Sequence, residues 1–172
     1  MQREVPDEIN IAACKFAKEN GVITILDLGG ADAPISNEFL SLLDIISPNK
    51  TELKRILGKD SDISHTEDII KALDEIRDRS GNKNLCLLLK LGSKGSLYVD
   101  KDNKVLAQHA FHFDDLKIVD TTGAGDCFTG SFVAKLSDGN SIEECLKFAS
   151  ASAYLAITKF GAMPSMPTSD DV

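Results

Sequence analysis

The sequence predicts an α/β fold, a mostly parallel sheet with helices on both faces. Three observations carry that expectation. Segments of helical period alternate with short apolar runs along the whole chain. The run at 22–27 is apolar until it ends in an acid, as a buried parallel strand would be. A short apolar segment at 117–120 feeds a glycine-rich turn that opens a helix.

Residues 6–20 read as a helix, with Pro6 suited to its first turn and Ile9, Ala12, Ala13, Phe16 and Ala17 on one apolar stripe. Asn20 and Gly21 stop it. The strand at 22–27 follows, then a short helix from the cap Ser36 through Leu43. Residues 44–47 form a second strand, which Pro48 blocks, and 49–57 a helix ended by Gly58. The polar stretch 58–64 is a loop. Ser64 and Glu67 have capping-box spacing for a helix through Arg79. Residues 85–91 form a third strand, and 95–100 and 104–109 flank a polar turn as a hairpin. After the strand at 117–120, helices at 125–136 and 141–158 close the chain. No repeat, low-complexity tract or linker interrupts it, so 1–172 reads as one domain or part of one.

Composition narrows the function. The net charge is −8, from 27 acids and 19 bases, which disfavours nucleic acid and anionic membrane surfaces as partners. Apolar stretches are too short to span a bilayer, and the N-terminal residues contain no apolar signal core. Cys14, Cys86, Cys127 and Cys145 have no paired spacing and read as free thiols in a reducing, cytoplasmic setting. His65, His109 and His112 lack metal-ligand spacing and read as surface or packing residues.

The chemistry concentrates at Asp120-Thr-Thr-Gly-Ala-Gly-Asp126. Gly123 and Gly125 open backbone conformations closed to other residues and leave room for a ligand. Amides at the helix start make an anion hole suited to phosphate. Asp126 beside it would repel a phosphate, unless it accepts the proton of a hydroxyl that attacks that phosphate. Ligands of such sheets bind beyond the carboxyl ends of the strands. Asp27, the segment with Asn49 and Glu52, the turn 92–95 and the run 120–126 each follow a predicted strand, so four strand ends are expected to converge.

With its flanks Val119 and Cys127-Phe-Thr-Gly-Ser-Phe132, the run closely resembles the C-terminal signature of the ribokinase-like (PfkB) sugar kinases. Three further segments resemble the family in the same order. Asn49 to Glu52 matches an Asn-x-x-Glu segment, 90–95 a nucleotide loop, and 156–165 the tail loop. The resemblance implies in-line phosphoryl transfer from ATP to a sugar hydroxyl. Asp126 is then the base, and the amides of Gly123, Ala124 and Gly125 are the anion hole. Gly92, Ser93, Gly95 and Ser150 lie at the nucleotide. Asn49 and Glu52 reach a magnesium ion through water, although the same spacing also makes Asn49 an N-cap with Glu52 as its capping-box partner. Asp120 and Thr122 from one loop, with Ala156, Lys159, Gly161 and Ser165 from the other, would hold a monovalent cation, potassium in the family.

Two positions depart from the family pattern. Lys90 stands where threonine is usual, and Asp27 where asparagine is common. Asp27 either joins the magnesium shell or caps the loop that follows.

The resemblance covers the whole chain but only the C-terminal, nucleotide-binding and catalytic part of a ribokinase-like protein. The family's N-terminal strands, most sugar contacts and the β lid that often forms a homodimer contact are not visible in the chain. The alternative is a truncated half-domain that binds nucleotide or a partner chain without catalysing transfer. The acceptor sugar is not legible, although the tail leans towards ribokinases over nucleoside kinases.

Overall fold

The computed structural model describes residues 1–30, 32–58, 63–112 and 117–172. Among them the chain runs α1 (Asp7–Glu19), β1 (Ile25–Asp27), α2 (Asn37–Ser41), β2 (Ile45–Ser47), α3 (Lys50–Leu57), α4 (Thr66–Ser80), β3 (Cys86–Lys90), β4 (Ser96–Val99), β5 (Val105–Gln108), α5 (Ala124–Ser137) and α6 (Ile142–Ala156). The strands form a sheet in sequence order, β1-β2-β3-β4-β5. β1 pairs parallel with β2, Ile25 opposite Ile45 and Asp27 opposite Ser47, and β2 pairs parallel with β3. Every residue of β1 and β2 is buried, so side chains on both faces are covered and alternation is lost. The fold is the expected α/β architecture.

The chain divides into two compact units, residues 1–90 with 97–105, and residues 91–96 with 106–172. In the first, Leu26, Phe39, Ile46, Leu53, Leu73, Ile76 and Leu85 are fully buried. Thr24 ties the strand starts together, its amide and hydroxyl both donating to Asp44 Oδ2 at 2.7 and 2.9 Å. The guanidinium of Arg77, 4 % exposed, donates to the carbonyls of Leu85 and Asp100 and to Asn103 Oδ1. It thereby pins the β4–β5 turn to α4. In the second unit α5 packs along α6 around Phe132, Cys145 and Ala149.

Local signals account for most helix ends. Ser36 Oγ accepts from the Phe39 amide at 3.1 Å. Gly58 ends α3 in the left-handed region at φ 64°. Ser141 and Glu144 form a full capping box on α6. The box on α4 is displaced from the expected Ser64–Glu67 by one residue: the His65 amide donates to Asp68. Of the expected loop 58–64, residues 59–62 lie outside the described residues, as does Phe113 beside His112.

One expected strand is absent among the described residues. Residues 117–120 form no strand; the amides of Val119 and Asp120 both donate to the Ile157 carbonyl, at 2.8 and 3.2 Å, just past the end of α6. No described strand lies alongside to make a ladder, so three strand ends, not four, carry candidate residues. The apolar stripe of α1 exists but is not a buried face. Ile9 and Phe16 are 59 % and 69 % exposed, while Asn10 and Cys14 turn inward, Asn10 donating to the Gln2 carbonyl at 2.9 Å.

All four cysteines are free thiols, three of them buried, and burial raises the Cys14, Cys127 and Cys145 thiols above their ordinary range. Among the described residues no helix is long and apolar enough to cross a membrane.

Candidate active site

The glycine-rich run lies in the second unit. Its turn is closed by the Ala124 amide, which donates to the Thr121 carbonyl at 3.2 Å, and by the Cys127 amide, which donates to Gly123 at 2.8 Å. Gly123 caps α5 at φ 78°, and a Cβ there would stand 3.1 Å from both Ala162 Cβ and Met166 Cε. The positive φ favours glycine at 123, and the tight approach of Ala162 and Met166 leaves little room for a side chain. At 125 the backbone is ordinary helix and demands no glycine conformation, contrary to the expectation that both glycines serve that purpose.

The anion hole also differs in detail from the expected one. Thr121 occupies the Ala124 amide, whereas the amides of Gly123, Gly125 and Asp126 find no acceptor among the described residues. The Asp126 carboxylate, in the first turn of α5, is exposed beside them. A helix start with unpaired N–H groups is suited to an anion.

The loop 120–122 is joined to the tail by Asp120. Its Oδ1 accepts from the amide and hydroxyl of Thr122, at 2.9 and 2.7 Å, and its Oδ2 from the Gly161 amide at 2.9 Å. The Thr122 side-chain bond, then the two backbone bonds, hold the Asp120 carboxyl below its ordinary range. Of the other expected cation ligands, the Ala156 carbonyl accepts the Lys159 amide, and the buried Ser165 hydroxyl donates to the Ala162 carbonyl at 2.6 Å. Asp120, Thr122 and Gly161 are thus brought together; Ser165 is turned to its own loop.

Gly92–Lys94 form a 3₁₀ turn after β3. Gly92 and Ser93 are exposed on it. Gly95 is constrained by packing: at φ 96°, a Cβ would fall 2.0 Å from the Gln108 carbonyl oxygen. Ser150, on α6, is 7 % exposed, and its hydroxyl has no hydrogen-bond partner among the described residues. A buried hydroxyl without a partner is uncommon, and Ser96 Oγ shares this state; a water or a ligand atom would satisfy either.

Asp27, Asn49, Glu52 and Lys90 lie in the first unit. Asn49 and Glu52 form a complete capping box. The Glu52 amide donates to Asn49 Oδ1 at 2.9 Å, while the Glu52 carboxylate accepts from the Asn49 amide and from Asn49 Nδ2 at 2.7 and 2.8 Å. Asp27 caps its loop, as one of the two expectations had it: Oδ1 accepts from the Gly29 amide at 3.0 Å. Its Oδ2 meets Lys90 Nζ at 2.5 Å, with 11 % and 14 % of the two side chains exposed. The two departures from the family pattern are each other's partners. Both end strands that flank β2, a signal that opposite charges at equivalent strand ends could have provided.

Two stretches with distinct chemistry thus accompany a mostly parallel α/β sheet, an anion-suited helix start with a carboxylate and a capped Asn-x-x-Glu helix. Residues 1–169 match the model of the pfkB family carbohydrate kinases. The chain belongs to the pfkB family. Within the family it is 46 % identical to a ribokinase of Arabidopsis thaliana over 167 residues, 97 % of this chain and 42 % of that protein. It is 34 % identical to a ribokinase of Haemophilus influenzae, over 98 % of this chain and 52 % of the other. The structure of Arabidopsis thaliana ribokinase complexed with ribose and ATP superposes at a TM-score of 0.90 and 43 % identity, covering 99 % of this pfkB chain and 52 % of that one. The chain spans about half the length of these relatives.

Proposed function

We propose that this chain provides the nucleotide-binding and catalytic part of an ATP-dependent kinase acting on a sugar hydroxyl. The observation that carries this reading is the start of α5, where amides without protein acceptors among the described residues and an exposed carboxylate share one turn. The Gly125 and Asp126 amides would face the charge on the transferred phosphoryl group. The attacking sugar oxygen forms a bond to the γ-phosphorus, the bond to the bridging oxygen breaks, ADP leaves, and the hydroxyl proton passes to the Asp126 carboxylate. The relatives named above are ribokinases, one of them solved with ribose and ATP, which favours ATP as donor and a pentose as acceptor. The orphaned Ser150 hydroxyl supports a polar ligand at α6.

Magnesium takes oxygen ligands and keeps several waters. Asn49 and Glu52 fit it only through such waters, because the capping box already uses Asn49 Oδ1 and both Glu52 oxygens. When bound, it would neutralise charge between the phosphates. A monovalent cation fits the oxygen-rich loops of Asp120, Thr122 and the 156–165 tail, where the Asp120 carboxylate adds a charge of the right sign. Free buried thiols fit a cytoplasmic protein.

A second reading is favoured by the exposed apolar face of α1: a domain that binds nucleotide or a partner chain without transferring phosphate. Asp126→Asn in the complete gene product separates the two. As a kinase, it loses about 10²–10⁴-fold in transfer from ATP to ribose, with nucleotide affinity kept. A folded variant that loses both together removes Asp126 from the base role. A wild type that binds ATP and transfers nothing to any pentose supports the second reading.

A further inference from the structure

Asp27 and Lys90 form an ion pair where a parallel sheet usually receives its ligand, at the carboxyl ends of β1 and β3. Burying such a pair is expensive, and apolar residues of similar size often serve stability equally well. The surroundings give the pair a second consequence. A Cβ placed on Gly29 would lie 3.4 Å from Asp27 Oδ1 and 4.0 Å from Glu52 Oε1, so two carboxylates border one point. Asn49, the Glu52 partner, is bridged to Lys90 across the sheet edge. Two acids and an amide oxygen are a hard-oxygen donor set for a divalent cation. The Lys90 ammonium already compensates one of the acids.

We propose that Lys90 is a positioning residue that sets how tightly this corner holds a divalent cation. By pairing with Asp27 it leaves Glu52 as the uncompensated carboxylate of the two, so the ion is held weakly and through water. Without the ammonium, Asp27 joins Glu52 and the corner becomes a two-carboxylate site. The inference rests on the reading that Asn49 and Glu52 face a hydrated divalent ion.

The test is Mn²⁺ binding to the complete gene product without nucleotide, followed by electron paramagnetic resonance of free Mn²⁺. Glu52→Gln comes first. If it leaves Mn²⁺ binding unchanged, the corner reading fails and the inference with it. If it weakens binding, Lys90→Met decides. The expected result is binding at least tenfold tighter than wild type, returning to within about threefold of wild type in Asp27→Asn/Lys90→Met; one tenfold step is about 1.4 kcal/mol, a modest demand for one charge at short range. Unchanged affinity in folded Lys90→Met, or tight binding that persists in the double variant, overturns the proposal while leaving the corner reading intact. Should Lys90→Met not fold, Asp27→Asn serves instead. It leaves the ammonium uncompensated beside Glu52, so Mn²⁺ should bind at least threefold more weakly than to wild type; equal binding overturns the proposal. Lys90→Arg, which keeps the charge, should bind Mn²⁺ as wild type does, and tighter binding there counts against charge as the cause.

Discussion

The Gly161 amide donates to the Asp120 carboxylate at 2.9 Å, across 41 residues of chain. The same carboxylate accepts twice from Thr122, so one exposed side chain closes its own loop and fastens the tail to it. These bonds favour the ionised form and hold the Asp120 carboxyl below its ordinary range. A depressed folded pKa contributes stability that is present above the unfolded value, about 3.9, and lost as pH falls through the folded one. Hydrogen exchange at the Gly161 amide, corrected for its intrinsic rate, should therefore stay protected at neutral pH and lose protection only below about pH 4. Asp120→Asn should remove both the pH dependence and most of the protection. Equal protection in that variant would mean that the tail is held by something other than the carboxylate.

Gly92 and Gly95 bracket one turn, and both have positive φ, yet their demands differ. A methyl on Gly92 would meet nothing within 4 Å, whereas a methyl on Gly95 would meet the Gln108 carbonyl at 2.0 Å. Gly92→Ala should cost about 1–2 kcal/mol, the left-handed penalty alone. Gly95→Ala should cost about 3 kcal/mol or more, because the end of β5 must also move away. Urea midpoints measure both. Equal losses would show that backbone conformation, not packing, makes glycine necessary at 95.

Elements whose causes lie within a few residues were legible in advance. Ser36, Asn49 and Gly58 each act on groups within one helical turn, and each does so where its position indicated. The strand expected at 117–120 failed because a strand is a relation to a neighbour, and apolar residues alone do not provide one. The stripe on α1 is present where period placed it, but period shows only that a helix has an apolar face, not which face the rest of the protein covers. In the candidate site, the composition of the anion-suited turn was readable, but the amide that Thr121 occupies depends on backbone geometry. The Asp27–Lys90 pair spans 63 residues and needs the strand order before the two ends can be seen as neighbours.

Arg77 illustrates a long-range tie that composition hides. Its position on α4 looks like one more charge on a solvated face, but the side chain is buried and satisfies two backbone carbonyls and Asn103. Arg77→Met leaves those acceptors without a donor and should destabilise by about 3 kcal/mol. Arg77→Lys recovers little, since an ammonium cannot reproduce the planar fork that spans the three acceptors. A lysine variant as stable as wild type in urea would refute the role of that geometry.

The exposed face of α1 makes a separate prediction about stability and association. Ile9 and Phe16 are seven residues apart and so lie on one side of the helix. Val22 and Ile23, just beyond it, are exposed as well. Exposed apolar side chains of this size, two of them on one helix face, suit an interaction surface. If water is their only contact, replacing them costs little: Ile9→Gln with Phe16→Gln should shift folding stability by no more than about 0.5 kcal/mol each, and glutamine is a good helix former. The same change should reduce self-association of this 172-residue chain in sedimentation velocity, because the apolar face is what a second molecule would cover. A large loss of stability would mean that these side chains are buried in the folded protein, and unchanged association would place the contact surface elsewhere.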